Sequence, residues 1–84
     1  MSPAVRVYHA PGCHLCESAL AVIDRVRADV EFSVELCDIT GDPALEQRYR
    51  ERIPVVEVDG VEAFTYFVHP EMLRRRLLRL PSTP

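Results

Sequence analysis

Lysine and tryptophan are absent from this 84-residue chain, and cysteine is scarce. All ten basic residues are arginine, which excludes chemistry that needs a lysine amine, such as a Schiff base. Three cysteines, an odd number, are too few to staple a small secreted scaffold. No apolar stretch approaches the ~20 residues of a membrane-spanning helix. Met1-Ser2-Pro3-Ala4 also lacks the charged-then-apolar order of a secretory signal. The expected location is therefore the cytoplasm, without a membrane partner. Net charge is only −3, far from the basic excess that marks nucleic-acid binders. No repeat, low-complexity tract or linker divides the chain. One domain is expected over 1–80, followed by a short Pro-Ser-Thr-Pro tail at 81–84.

What is present is an ordinary globular composition, 48% hydrophobic and 27% charged, arranged with two periods. Val5 to His9 reads as a short strand, with Pro3 just before it. From Cys13 to about Asp29, Leu15, Ala19, Val22, Ile23 and Val26 recur at helical spacing, opposite Glu17, Asp24, Arg25 and Arg27. Val30, Phe32, Val34 and Leu36 alternate with Glu31, Ser33 and Glu35, predicting a strand with one strongly apolar face. Asp42 and Pro43 are placed as N-cap and first residue of a second helix that runs to about Arg52. Pro54 to Val58, Asp59-Gly60, and Val61 to Tyr66 predict a hairpin with a two-residue turn. A last helix begins near His69-Pro70-Glu71 and turns Met72, Leu73, Leu77 and Leu80 inward. The order is β-α-β-α-β-β-α, with the first two strands parallel through a right-handed crossover and the last two antiparallel. The fold class expected is α/β, a four-stranded mixed sheet with helices on its faces.

The chemistry concentrates in Tyr8-His9-Ala10-Pro11-Gly12-Cys13-His14-Leu15-Cys16. A strand runs into a Pro-Gly turn, and two cysteines two residues apart open a helix, which reads as a dithiol/disulfide redox centre. A thiol attacks as its thiolate, and the free N–H groups and dipole of a helix N-terminus favour that anion. Cys13 sits at that end as the exposed nucleophile, and a protonated His14 would favour its thiolate further. Cys16, one turn on and near the Ala19/Ile23 side, is the buried resolving thiol. The other uses of such a pair are half a zinc site or a silent pair. Of the possible extra ligands, His9, His14 and His69, none has finger-like spacing, so no metal site is assigned.

Arg52-Ile53-Pro54-Val55-Val56 places a proline at the very start of an apolar strand, where its missing N–H falls outside the ladder. Cys37 has two readings, a small buried hydrophobe or a redox or regulatory thiol. It lies off the most apolar strand face but at the sheet edge where Cys13 emerges. Arg74, Arg75, Arg76 and Arg79 crowd the last helix as a solvated face or a docking surface.

Taken together, these residues resemble the thioredoxin-fold superfamily and, within it, a short glutaredoxin-like protein. The match runs along nearly the whole chain: strand, C-x-x-C at a helix start, helix, strand, helix, Ile53-Pro54 opening the third strand, the Asp59-Gly60 hairpin, and a last helix. The resemblance implies a cis Ile53-Pro54 bond beside the dithiol, with the Ile53 backbone pairing to an extended substrate. It also places Arg52 or Arg50 near a substrate carboxylate. Tyr66 reads from its own position as a core or rim aromatic, or as a residue lining the substrate groove. The activity implied is that of a thiol-disulfide oxidoreductase, an electron-transport enzyme with a redox-active disulfide that reduces protein or small-molecule disulfides. No cofactor would be permanently bound. Glutathione or a thioredoxin-type reductase would supply electrons to a monomer.

The chain also departs from that pattern. It has Cys-His-Leu-Cys where glutaredoxins carry Cys-Pro-Tyr-Cys or a close relative, and no lysine before the first cysteine. The Gly-Gly pair and the following Asp that hold glutathione are replaced by Phe64-Thr65-Tyr66-Phe67-Val68-His69-Pro70-Glu71. The Trp-Cys-Gly-Pro-Cys of thioredoxin is missing too. Two alternatives therefore stand beside the enzyme: an iron-sulfur or metal-binding module built through Cys13, and a non-enzymatic docking domain that uses the arginine-rich helix.

Overall fold

Seven elements follow one another in the computed structural model, which describes residues 3–79. They are β1 (Ala4–His9), α1 (His14–Arg27), β2 (Ser33–Asp38), α2 (Pro43–Tyr49), β3 (Val55–Val58), β4 (Val61–Thr65) and α3 (Pro70–Arg79). The strands form one sheet in the order β2-β1-β3-β4. β1 pairs parallel with β2 and antiparallel with β3, so that Val7 lies between Leu36 and Val56. β3 and β4 are antiparallel, with a bulge between Val56 and Glu57. The expected β-α-β-α-β-β-α order and mixed sheet are therefore what the chain forms.

Alternation along the strands divides the interior in two. Val5, Val7, Val56, Val58 and Phe64 pack with Ala19, Ile23 and Val26 of α1 and Leu73 and Leu77 of α3. On the other face Tyr8 and Val55 meet Ile39, just after β2, and Tyr49 of α2. Farther along that face the strands carry charge: Arg6 pairs with Glu35 at 3.0 Å and lies opposite Glu57.

Local chemistry explains the element ends. Asp42 caps α2 by accepting from the Ala44 and Leu45 amides at 3.1 and 3.2 Å, and Pro43 loses nothing in the first turn, where its N–H would be unpaired. The helix stops at Tyr49, short of the expected Arg52, because Arg52 N–H bonds the Tyr49 carbonyl at 2.8 Å and turns the chain. The residue before a proline is also biased toward extended backbone, so Ile53 has to leave the helix. In the hairpin both Asp59 (φ 51°) and Gly60 (φ 84°) are left-handed, the geometry that matches a two-residue loop to strand twist. Asp59 also grips the start of β1. Its carboxylate accepts from Ala4 N–H at 2.9 Å, and its own N–H donates to the Ala4 carbonyl at 2.7 Å.

Three apolar residues expected inside are not. Leu36 is 53% exposed because β2 is an outer strand, and strand alternation tells which face a residue takes but not whether anything covers it. Met72 is 58% exposed, one position round the helix from the buried Leu73 and Leu77. Leu15, read as part of the buried face of α1, is exposed. Leu80 and the 81–84 tail lie outside the described residues. Arg74 is not simply solvated: it pairs with Asp29 at 2.9 Å and Glu71 at 3.6 Å, tying α3 to the end of α1. No helix among the described residues is long and apolar enough to cross a membrane.

Candidate active site

β1 ends where its antiparallel neighbour β3 begins, with Tyr8 facing Val55. β4 ends at the same level, Thr65 facing Val55. The loop carrying the cysteines, the Ile53-Pro54 segment and Tyr66 therefore leave the sheet at one edge.

On that edge Gly12 takes φ 74°, a conformation available to glycine at little cost, and swings the chain from strand to helix. Cys13 is the N-cap of α1, with extended backbone at φ −94°, ψ 108°. Its sulfur accepts the Cys16 N–H at 3.1 Å, and its carbonyl accepts the Glu17 N–H at 3.1 Å. A sulfur here takes the role that a serine or aspartate oxygen usually has. A hydrogen bond to an anionic acceptor is roughly twice as strong as one to a neutral acceptor, so this geometry favours a thiolate. Cys16 is 2% exposed among Ala19, Ile23 and Val26, whereas Cys13 is half-buried and reachable. The two form a disulfide, their Cα atoms 5.2 Å apart.

The Ile53-Pro54 bond is cis and Pro54 is buried. The Pro54 carbonyl accepts the Tyr66 N–H at 2.9 Å, while within the described residues no hydrogen bond engages the amide or carbonyl of Ile53. Tyr66 takes φ 71°, and its hydroxyl donates to the Glu51 carbonyl at 2.6 Å. The ring thus bridges the end of β4 and the segment leading into Ile53-Pro54.

Two residues singled out in the sequence are occupied elsewhere. His14 is 97% exposed, with Nδ1 3.8 Å from the Glu17 carboxylate, and it makes no hydrogen bond to Cys13 among the described residues. Arg52 forks onto both oxygens of Glu62, which also accepts from the Thr65 hydroxyl at 2.6 Å. The Arg52 and Thr65 hydrogen bonds hold the Glu62 carboxyl below its ordinary value. Arg52 also lies over the Tyr49 ring at 5.8 Å.

Cys37 sits opposite Tyr8 on the outer strand and packs against the α2-side cluster. Burial first, then the neighbouring Glu35 charge, pushes its thiol up, the reverse of what activates a nucleophile. Among the described residues no three His, Cys, Asp or Glu side chains gather where they could hold a metal ion.

Sequence reasoning placed Tyr66 at the substrate groove but missed the apolar recess it shares with Leu15 and Phe67. Leu15, Tyr66 and Phe67 are all exposed, Phe67 by 62%. With Ser18, Ala19, Val22 and Val68 they line a recess of about 70 Å³. A larger open hollow, about 510 Å³, is lined by residues 27–33 at the opposite edge of the sheet, away from both site cysteines.

A dithiol at the start of the helix that follows the central strand, in a mixed sheet of this order, defines a thioredoxin-fold protein. The model of the glutaredoxin-like domain (DUF836) matches residues 4–78, and the chain belongs to that family. The uncharacterized protein Rv0508 of Mycobacterium tuberculosis is 27% identical over 82 residues, covering 92% of this chain and 84% of the relative. Protein Ne2328 from Nitrosomonas europaea is 28% identical with a TM-score of 0.78, over 92% of this chain and 93% of its own. Protein XcR50 from X. campestris is 26% identical with a TM-score of 0.73, over 95% of this chain and 99% of its own. A mutant thioredoxin from Halobacterium salinarum, 17% identical, shares the fold at a TM-score of 0.68 over 99% of this chain and 78% of its own.

Proposed function

We propose that this protein is a cytoplasmic thiol-disulfide oxidoreductase that reduces disulfides of proteins or small molecules. The observation that carries the reading is the Cys13 sulfur acting as N-cap, held by the Cys16 N–H at 3.1 Å, above a buried Cys16. When the dithiol is reduced, the same amide and the helix dipole face the Cys13 thiolate.

The reaction then runs in two exchanges. The Cys13 thiolate attacks one sulfur of the substrate disulfide, that S–S bond breaks, and the other sulfur leaves as a thiolate that is protonated from water. Cys16 gives up its proton and attacks the Cys13 sulfur. The Cys13–Cys16 disulfide closes and the second substrate thiolate departs. Two electrons have moved from the dithiol to the substrate. Two glutathione thiols, or a thioredoxin-type reductase, return them to the dithiol. The unengaged Ile53 amide and carbonyl offer a strand-like pairing site for the substrate chain. His14 adds positive charge only when protonated, and its exposure leaves it screened by solvent. A His14→Ala change is therefore expected to alter Cys13 only slightly.

The test is the rate of Cys13 alkylation against pH in the reduced protein, with each cysteine mapped by mass. A midpoint well below the ordinary thiol value of about 8.5, with Cys16 and Cys37 slow, is the expected result. A midpoint at that ordinary value, or equal rates for all three thiols, would return the argument to the metal-binding or docking alternatives.

A further inference from the structure

We infer that Leu15, Tyr66 and Phe67 set the substrate class: an extended peptide with a bulky apolar side chain within two positions of its disulfide-bonded cysteine, rather than a glutathionyl group. The inference rests on the redox reading of the dithiol and adds its specificity.

Three observations point the same way. First, the exposed apolar side chains come from two separate elements and meet beside the cysteines. Leu15 stands between Cys13 and Cys16, and Tyr66 and Phe67 follow β4. The recess they line, about 70 Å³, is room for roughly two waters, or for the end of a leucine or phenylalanine side chain. Its α1 wall begins at Leu15, between the two cysteines, and Tyr66 joins it to the Pro54 carbonyl through its N–H.

Second, Tyr66 holds a left-handed backbone, φ 71°, that glycine adopts without cost and other residues do not. Its N–H to Pro54 and its hydroxyl to Glu51 fix the ring. A glycine would give the same chain path and leave the groove open. The tyrosine makes it a wall.

Third, two of the charged groups that a glutathionyl group could meet are already paired, which leaves the exposed Arg50. That group carries two carboxylates and one ammonium. Arg52, the cation on the approach to Ile53-Pro54, is forked onto Glu62, and His14 faces Glu17. An anionic substrate would have to displace those pairs or rely on Arg50 alone, whereas an apolar side chain has only water to displace from Leu15 and Phe67.

The experiment follows oxidation of the reduced protein in single turnover. The substrates are hydroxyethyl disulfide, glutathione disulfide, and two matched peptide disulfides with phenylalanine or aspartate two residues from the cysteine. The expected result is that the phenylalanine peptide reacts faster than the aspartate peptide, and faster than glutathione disulfide, by on the order of tenfold or more. In Leu15→Ser and Phe67→Ser, both surface changes, the phenylalanine-to-aspartate ratio should fall to within about twofold of unity. Equal rates for the two peptides in the wild-type protein, or a preference for glutathione disulfide, would overturn the inference whatever the variants do. A ratio that survives both substitutions would overturn the residue assignment. If hydroxyethyl disulfide also fails to oxidise the dithiol, the redox reading falls and the specificity falls with it.

Discussion

Tyr49 is the side chain through which α2 holds the second face of the sheet, and replacing it by leucine probes that whole arrangement. Its ring stacks on Tyr8 with centroids 4.2 Å apart and planes 16° from parallel. Arg48 and Arg52 lie over it at 5.3 and 5.8 Å. Leucine keeps an apolar side chain in place but removes the stack and both cation–π contacts. The stack contributes about 0.5–1.5 kcal/mol beyond area burial. Each cation–π contact at a partly exposed site contributes about 0.5–1 kcal/mol, and the smaller side chain forfeits roughly 1 kcal/mol of burial. These terms overlap, and Arg52 keeps its bond to Glu62, so the expected loss is about 2–3 kcal/mol. For a chain of this length that lowers the melting temperature by roughly 10–20 °C. Urea unfolding of Tyr49→Leu, Tyr8→Leu and the double variant measures it, and the stack should appear as a coupling of about 0.5–1.5 kcal/mol. A strictly additive double variant would refute the stacking argument. A Tyr49→Leu protein within about 0.5 kcal/mol of wild type would refute the claim that α2 is anchored by this ring.

Asp42→Ala removes two cap bonds from α2 and should cost about 1 kcal/mol in the same assay, with Asp42→Asn recovering most of it. The Glu62 carboxyl is held below its ordinary 4.5 by Arg52 and Thr65. Its contribution to stability is therefore complete above pH 4.5 and lost as pH falls through the lowered native value. Melting temperature should drop more steeply below pH 4.5 in the wild type than in Glu62→Gln; parallel curves would count against the pairing. Cys37, its thiol pushed up by burial and then Glu35, should react with iodoacetamide at pH 8 more slowly than a free thiol while the Cys13–Cys16 disulfide is closed. Urea should abolish that protection.

Much of the fold was legible because local and long-range signals agree. Asp42-Pro43 can hardly open anything but a helix, Asp59-Gly60 suits a two-residue hairpin loop, and the valines of β1 and β3 alternate with polar residues. The cysteine pair was legible for the same reason, since a Pro-Gly turn between an apolar strand and a periodic helix places Cys13 at a helix start. What escaped were features set by coverage and by contacts distant in sequence. Leu36 and Met72 carry the right residue type for a core but fall where no neighbour reaches. Leu15 carries it too, yet looks outward over the recess beside Cys13. Tyr66 reads from the sequence as a rim aromatic lining the substrate groove. Nothing local announces that it adopts a glycine-like backbone or bonds Glu51 fifteen positions earlier. The pairing of Arg52 with Glu62 depends on how the hairpin folds back beside the end of α2, a relation that local sequence patterns do not encode.

The clasp between Asp59 and Ala4 has a practical consequence for anyone mounting this protein on a sensor. Ala4 opens β1 and the cysteine loop follows its far end, so the strand separates them by five residue steps, about 17 Å. A dye, tag or surface tether joined ahead of Ala4 hangs from the edge opposite the dithiol. An electrode or bead loaded in that orientation presents the sulfur edge outward, where bulky reactants can approach it as freely as in solution.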